Sequence, residues 1–193
     1  MKIIYTKESK EPYKTISNMI FKAIQLISKY FEDKIDKGGN PYINHLYYVA
    51  ECISNEADDK CSDKYSSLGI FYNKAFIVAL LHDIIEDTDL TFDDLKKEGI
   101  DDEEILDAID SVTRRSEEQY YFDFIQRVNK NDIGRMVKIY DLENNMDIRR
   151  LNKFGDYEKK RLNKYWWSWK FLKGDVSAVI ANNNIHANRK ISI

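Results

Sequence analysis

The chain is expected to be a single all-α domain, and three observations carry that expectation. Apolar residues recur at helical spacing along most of its 193 residues. No extended stretch alternates apolar and polar residues in the manner of a strand. Seven glycines and two prolines leave few places for the turns that a many-stranded fold requires.

Ile16, Met19, Ile20, Ala23, Ile24 and Ile27 fall on one helical face and predict a first helix over 15–31. The loop DKGGNPY (36–42) follows it, and a second helix starts near Pro41 to Asn44, with His45, Val49 and Ile53 on related faces. The polar stretch SNEADDKCSDKYSS (54–67) reads as a loop. From Phe76 to Leu81 no polar side remains on any helical wheel, which is the pattern of a buried helix. Thr91 followed by Asp94 has the form of a capping box, and Gly99 can close the short helix between them. Further helices are expected at 102–112, 117–129, 133–148, 156–173 and 175–181. No repeat or low-complexity linker divides the chain, so residues 1–193 form one domain, with a core of about 15–175 and a polar tail of about 182–193.

Composition excludes several function classes. Thirty basic against 33 acidic residues give a net charge of −3, with no basic block, which argues against nucleic acid as a partner. The N-terminus MKIIYTKESKEPYK has no apolar core of a signal peptide. The longest apolar run, Ala75 to Leu81, is far short of the roughly 20 residues of a membrane span. Cys52 and Cys61 are not spaced as a C-x-x-C pair and read as reduced thiols. A cytoplasmic protein is expected, with no membrane partner.

The chemistry concentrates in ALLHDIIEDT (79–88). At about 100° per residue, His82, Asp83, Glu86 and Asp87 share one arc that continues the core helix, while Ile84 and Ile85 lie opposite. Two readings fit. The acids can be the solvated end of a helix, although acids at a helix C-terminus oppose the macrodipole. Alternatively they surround a cation, which offsets the several kcal/mol that burying each like charge would otherwise cost. A second candidate lies in VKIYDLENN (137–145), where Lys138, Asp141 and Asn145 fall on one side of a largely apolar helix. Asp141 there needs a partner, and a hydrogen-bonded core Asp satisfies that need as well as a metal does. Of the three histidines, His186 lies in the polar tail with no evident task.

Taken jointly, PYINH (41–45), LLHDIIEDT and VKIYDLENN give the order H…HD…D, and VTRR (112–115) lies between the second and third motifs. This pattern resembles the HD-domain phosphohydrolases, specifically the hydrolase domain of RelA/SpoT-type enzymes and their small stand-alone relatives, which remove pyrophosphate from guanosine 3′,5′-bis(diphosphate). The resemblance covers about residues 15–175 and implies an all-α HD-domain helical bundle. It implies that His45, His82, Asp83 and Asp141 ligate one divalent metal, usually Mn²⁺, a mixed nitrogen and oxygen set that also suits Fe²⁺. Glu86 and Asp87 match the family's acid pair, which positions and deprotonates water or returns a proton to the leaving group. Asn145 matches the position that meets the substrate's sugar-phosphate end, and Lys37, Thr113 and Lys138 are further substrate-binding candidates.

One departure concerns specificity. The alarmone hydrolases usually place an Arg, packed on the guanine ring, immediately before the Lys that Lys37 matches; here that position is Asp36. A carboxylate cannot stack and would repel a polyphosphate, so weak guanine selectivity is expected, with Asp36→Arg improving kcat/KM about tenfold. The same chemistry on another nucleotide or small phosphorylated metabolite, a catalytically silent nucleotide-binding module and a helical scaffold with surface acids are the competing readings. The intact Glu86 and Asp87 argue against a pure binder. The chain has no room after Ile193 for a synthetase domain, so a stand-alone hydrolase is expected. KYWWSWKFL (164–172) is expected to pack one helix on the bundle, or to form the interface of a homo-oligomer.

Overall fold

A computed structural model describes residues 7–186. It is all-α. The helices are α1 (Lys7–Tyr30), α2 (Ile43–Lys60), α3 (Ser67–Leu81), α4 (Ile84–Asp87), α5 (Phe92–Lys97), α6 (Glu103–Val112), α7 (Tyr121–Val128), α8 (Asp132–Asn145), α9 (Asp156–Lys173) and α10 (Ala178–His186). A 3-10 turn, Ile148–Arg150, lies between α8 and α9. Among the described residues the one extended pairing is an isolated bridge between Ile35 and Pro41, which closes the loop between α1 and α2.

The bundle is organised around α3, as its unbroken apolar composition predicts. Ile77, Val78, Ala79, Leu80 and Leu81 are each 0% exposed, and α1, α2, α6 and α8 pack around this helix. A helix with no polar side can be stable in water only when neighbours cover it on every side. By composition, Ser67–Asp87 is long and apolar enough to cross a membrane. In this fold the stretch breaks after Leu81, and its first part, α3, is the central helix of the bundle. The flank is built by α9 and α10, which pack on each other, with α9 also laid on α8.

Several boundaries differ from expectation. The first helix begins at Lys7 rather than near 15, because KESKEPYK carries no apolar period to reveal it. The stretch read as loop from 54 is helical as far as Lys60. Its exposed last turns are held by polar pairs instead: Lys60 donates to Glu56 at 2.5 Å, and the hydroxyls of Tyr72 and Tyr140 donate to the same carboxylate at 3.3 and 2.6 Å. The expected polar tail is helical through His186, whose ring meets Tyr120 edge-on at 5.3 Å; residues 187–193 lie outside the described residues. So do residues 1–6, the start of the segment read as lacking a signal peptide. The capping box at Thr91 forms as expected, with Asp94 N–H donating to the Thr91 hydroxyl and Thr91 N–H to the Asp94 carboxylate. Gly99 follows that helix at φ +90°, a conformation open to glycine.

The position of α8 matters most for function, and a glycine sets it. A Cβ at Gly134 would overlap the Ser111 hydroxyl and lie 3.2 Å from Ser111 Cβ, so α8 approaches α6 more closely than an alanine allows. Gly134→Ala is expected to lower unfolding free energy by about 1–3 kcal/mol. Adding Ser111→Ala removes the nearer atom and should recover part of that loss. Denaturant unfolding of the three variants measures both, and an undiminished stability in Gly134→Ala would show room between the helices.

Candidate metal centre and its cavity

Four ligand-type side chains meet where α2, the end of α3 and α8 come together. His45 lies on the first turn of α2, and Asp141 lies in the last turns of α8. His82 and Asp83 fall in a break: the expected continuous helix stops at Leu81 and resumes at Ile84, with Asp83 at φ −105°, ψ 3°. That conformation lies in the sparsely populated bridge region, where functional residues are often found. The break puts the Asp83 carboxylate beside the His82 ring, with Nε2 and Oδ2 3.2 Å apart.

The remaining separations complete the cluster. His45 Nε2 lies 3.1 Å from Asp141 Oδ1, 3.7 Å from Asp83 Oδ2 and 3.2 Å from His82 Nε2; His82 Nε2 is 3.7 Å from Asp141 Oδ1. Donors each about 2.1 Å from one cation, at 90–109° to each other, stand roughly 3.0–3.4 Å apart. His45, His82 and Asp83 alone already form a group able to hold a metal.

Each ligand-type side chain is aimed by a neighbour. His82 Nδ1 bonds the Ala79 carbonyl at 2.7 Å, so this nitrogen donates and Nε2 faces the centre with its lone pair. His45 Nδ1 bonds Asn144 Oδ1 at 2.7 Å. The Arg150 guanidinium donates to that same Asn144 oxygen, which fixes the amide's orientation and makes His45 Nδ1 a donor too. The Tyr42 hydroxyl donates to Asp83 Oδ2 at 2.5 Å, and the Asn145 amide to Asp141 Oδ1 at 2.5 Å. Two imidazole lone pairs and two carboxylates thus converge, and such donors repel one another unless a cation or a proton lies among them. Outer partners of this kind hold metal-binding histidines in one tautomer. His45, His82 and Asp83 fit a divalent cation, with Asp141 beside the two imidazoles.

The electrostatics agree. Burial alone would depress His82, but the Asp83 and Asp141 carboxylates outweigh it and lift its pKa to about 10, so a proton on Nε2 and a cation compete for the same place. Although burial disfavours its charge, Asp141 is held well below the usual carboxylate range by Lys138 and the two imidazoles. The Lys138 ammonium is 2.7 Å from Asp141 Oδ2, and despite burial that carboxylate keeps it charged. Part of the positive charge that these acids need is therefore covalently built in.

A cavity of about 310 Å³ opens on the cluster. Glu86 lines it, with Oε1 accepting the Arg114 backbone N–H at 2.6 Å. Burial, followed by the charges of Asp83 and Asp141, raises the Glu86 pKa against the opposing Arg114 bond and Lys138 charge. Asp87 is not part of the lining; its carboxylate lies 3.8 Å from the Lys34 ammonium. Burial and Asp83 raise its pKa. Of the expected substrate residues, Lys37, Lys138 and Asn145 line the cavity. Thr113 does not, because its hydroxyl donates to the Ile109 carbonyl within its own helix at 2.8 Å.

Sequence reasoning missed three further cationic residues of the lining, Arg114, Arg161 and Lys164. Arg161 and Lys164 lie one turn apart on α9, the helix that carries the tryptophans. Those behave as expected in part: Trp167 and Trp169 pack on the core and Trp169 Nε1 donates to Glu143 at 2.8 Å, whereas Trp166 stays 46% exposed. Burial, then the charges of Arg114 and Arg161, depress the Lys164 pKa to about 8. A lysine with a folded pKa below its unfolded value weakens the fold while charged, so stability should rise with pH between about 8 and 10.5. Lys164→Met is expected to melt higher than wild type at pH 7 and to lose that rise, as thermal melts across the pH range would show. An unchanged pH profile would mean that Lys164 is solvated.

Asp36 does not act as expected. Its Oδ1 accepts the backbone N–H groups of Gly38 and Asn40 at 2.8 and 2.9 Å, and its Oδ2 pairs with the Arg150 guanidinium at 2.9 Å. The carboxylate is neutralised and turned into the loop, so the expected repulsion of a polyphosphate lacks a free charge. An Asp36→Arg replacement would set two guanidiniums against each other.

No family model matches the chain. The chain is similar to curated proteins named guanosine-3′,5′-bis(diphosphate) 3′-pyrophosphohydrolase. The MESH1 protein of Homo sapiens is 29% identical over 143 residues, which is 72% of this chain and 73% of that protein. The Xenopus tropicalis counterpart is 28% identical over 142 residues, with the same coverage. A Borreliella burgdorferi protein of that activity is 34% identical over 95 residues, 49% of this chain, and the match spans only 12% of its own length. Motif order, all-helical architecture and these relatives together support an HD-type phosphohydrolase.

Proposed function

We propose that the chain is a metal-dependent guanosine 3′,5′-bis(diphosphate) 3′-pyrophosphohydrolase, with His45, His82, Asp83 and Asp141 as ligands of one divalent cation, manganese in our reading. The observation that carries this is the convergence of His45, His82, Asp83 and Asp141 beside a cavity that Lys37, Arg114, Lys138, Arg161 and Lys164 also line. A divalent cation there supplies Lewis acidity, lowering the pKa of water and offsetting charge on the phosphoryl oxygens.

The chain's own residues do the rest. Arg114, Arg161 and Lys164 face the polyphosphate, and their mutual repulsion is relieved when it binds. Lys37 and Lys138 extend the positive field, and Asn145 lies within reach of the sugar-phosphate end while holding Asp141. Thr113, with its hydroxyl turned back to Ile109, shapes the turn that presents the Arg114 N–H to Glu86. Glu86, whose raised pKa suits proton exchange, takes the proton of the attacking water at its carboxylate. Asp87 is the second acid, held by Lys34 one residue further along the same turn. The water oxygen bonds to phosphorus, the bond from phosphorus to the ribose 3′ oxygen breaks, and that oxygen leaves protonated. One water is consumed, and GDP and pyrophosphate form.

We read the working partner as a small nucleotide in the cytoplasm, consistent with a net charge of −3 and two free cysteines. The test is pyrophosphate release, with Mn²⁺ present, from the guanosine alarmone, its adenosine counterpart and GTP. Release from the alarmone is expected. Turnover of GTP alone would overturn the 3′-pyrophosphate reading.

A further inference from the structure

Arg150, which fixes Asn144 behind His45, has no role toward substrate in the mechanism above. It follows α8, in the 3-10 turn Ile148–Arg150, and its side chain lines the cavity. Its contacts with Asn144 and Asp36 hold it. One guanidinium nitrogen donates to the Asn144 side-chain oxygen and, at 3.2 Å, to the Asn144 carbonyl; the other pairs with Asp36 Oδ2 at 2.9 Å. The first nitrogen also stands 3.5 Å from His45 Nδ1.

The 36–40 loop is built around this arginine. Asp36 is itself fixed by the Gly38 and Asn40 N–H groups, and Asn152 donates to the Lys37 carbonyl at 2.9 Å. A Cβ at Gly38 would come within 2.4 Å of the Arg150 carbonyl, so only glycine lets the loop close against the 3-10 turn. Loop and turn therefore form one rigid wall of the cavity.

The way the guanidinium is spent decides what it can recognise. Three of its five N–H groups already point to Asn144 and Asp36, and its charge is shared with a carboxylate. A group so engaged is poorly disposed to clamp phosphate through its edge, which requires a free fork and uncompensated charge. These hydrogen bonds use its edge and leave its plane uncommitted, and a fixed guanidinium plane stacks well on an aromatic ring.

We propose that Arg150 is the base-recognition residue of this cavity, stacking on the nucleobase of the bound nucleotide, and that Asp36 is a positioning residue that holds the guanidinium plane. This rests on the reading of the cavity as a nucleotide site. The arginine missing from position 36 is thereby supplied from the 3-10 turn that follows α8.

The test is calorimetric binding of GDP and of pyrophosphate to the full chain in Mn²⁺, for wild type, Arg150→Lys, Arg150→Ala, Asp36→Ala and the double exchange Asp36→Arg with Arg150→Asp. Arg150→Lys keeps the charge and discards the plane. It is expected to weaken GDP binding about tenfold, as much as Arg150→Ala, while pyrophosphate binding stays at the wild-type level when the proteins are compared at equal metal content. Asp36→Ala should weaken GDP in the same selective manner, and the double exchange should recover part of the loss by placing a paired guanidinium on the loop. GDP binding unmoved in Arg150→Lys overturns the proposal. So does an equal loss of GDP and pyrophosphate, which would make Arg150 a phosphate contact. Failure of wild type to release pyrophosphate from the alarmone would instead defeat the proposed reaction and leave these binding ratios to stand or fall alone.

Discussion

Asp83→Ala should give a folded chain that retains no divalent cation and releases no pyrophosphate. Asp83 Oδ2 lies 3.2 Å from His82 Nε2 and 3.7 Å from His45 Nε2, so its removal opens the donor set on one side. The backbone there is helix-terminal, and the side chain is partly solvent-exposed, so the bundle does not depend on it for packing. Asp141→Ala is a less clean probe, because it would also strand the buried Lys138 ammonium without its 2.7 Å partner. Chelation of wild type should lower the melting temperature, since a ligand bound only by the folded state stabilises it by mass action. Metal analysis after gel filtration measures the first effect. Stoichiometric metal in Asp83→Ala would remove that residue from the ligand set.

Glu86→Gln should keep the metal and lose turnover by about a hundredfold or more, the usual consequence of removing an acid-base group. The carboxylate is not among the four converging donors; it is anchored by the Arg114 N–H and lines the cavity beside them. Glutamine preserves that anchoring oxygen and cannot take a proton. KM should change little, so the loss belongs in kcat. Loss of metal from this variant would make Glu86 a ligand, and unaltered turnover would pass the proton task to Asp87, the other acid of the pair.

The centre was legible in the sequence to the extent that its parts obey short-range periodicity. His82 and Asp83 stand out because charged residues end the most apolar run in the chain, and Asp141 because it interrupts an apolar helix face. The helix break between them was not legible: IVALLHDIIED has no proline or glycine, and the turn at Asp83 is imposed by the partners of its carboxylate, Tyr42 and the two imidazoles. Tyr42 and Asn144 could have been found from spacing. The first stands three residues before His45, and the second lies beside Asn145 on the turn that faces α2.

Other parts needed the third dimension. Asp36 looked like a free charge because its partner, Arg150, is 114 residues away, and RRL at 149–151 has the composition of any solvated turn. The cationic part of the lining was hidden for a similar reason, since Arg114 and Lys164 come from segments that meet only after α9 packs on α8. The exposed end of α2 escaped notice because a helix held by Glu56 and its partners, rather than by apolar burial, carries no hydrophobic period.

The measurement that bears most directly on the proposed reaction is the product balance from guanosine 3′,5′-bis(diphosphate) with wild type reconstituted in Mn²⁺, the same protein chelated, and Asp83→Ala. One GDP and one pyrophosphate per substrate are expected from the reconstituted wild type, with neither product from the other two. Equal release by the chelated protein, or no release by the reconstituted one, would contradict a metal-dependent 3′-pyrophosphohydrolase.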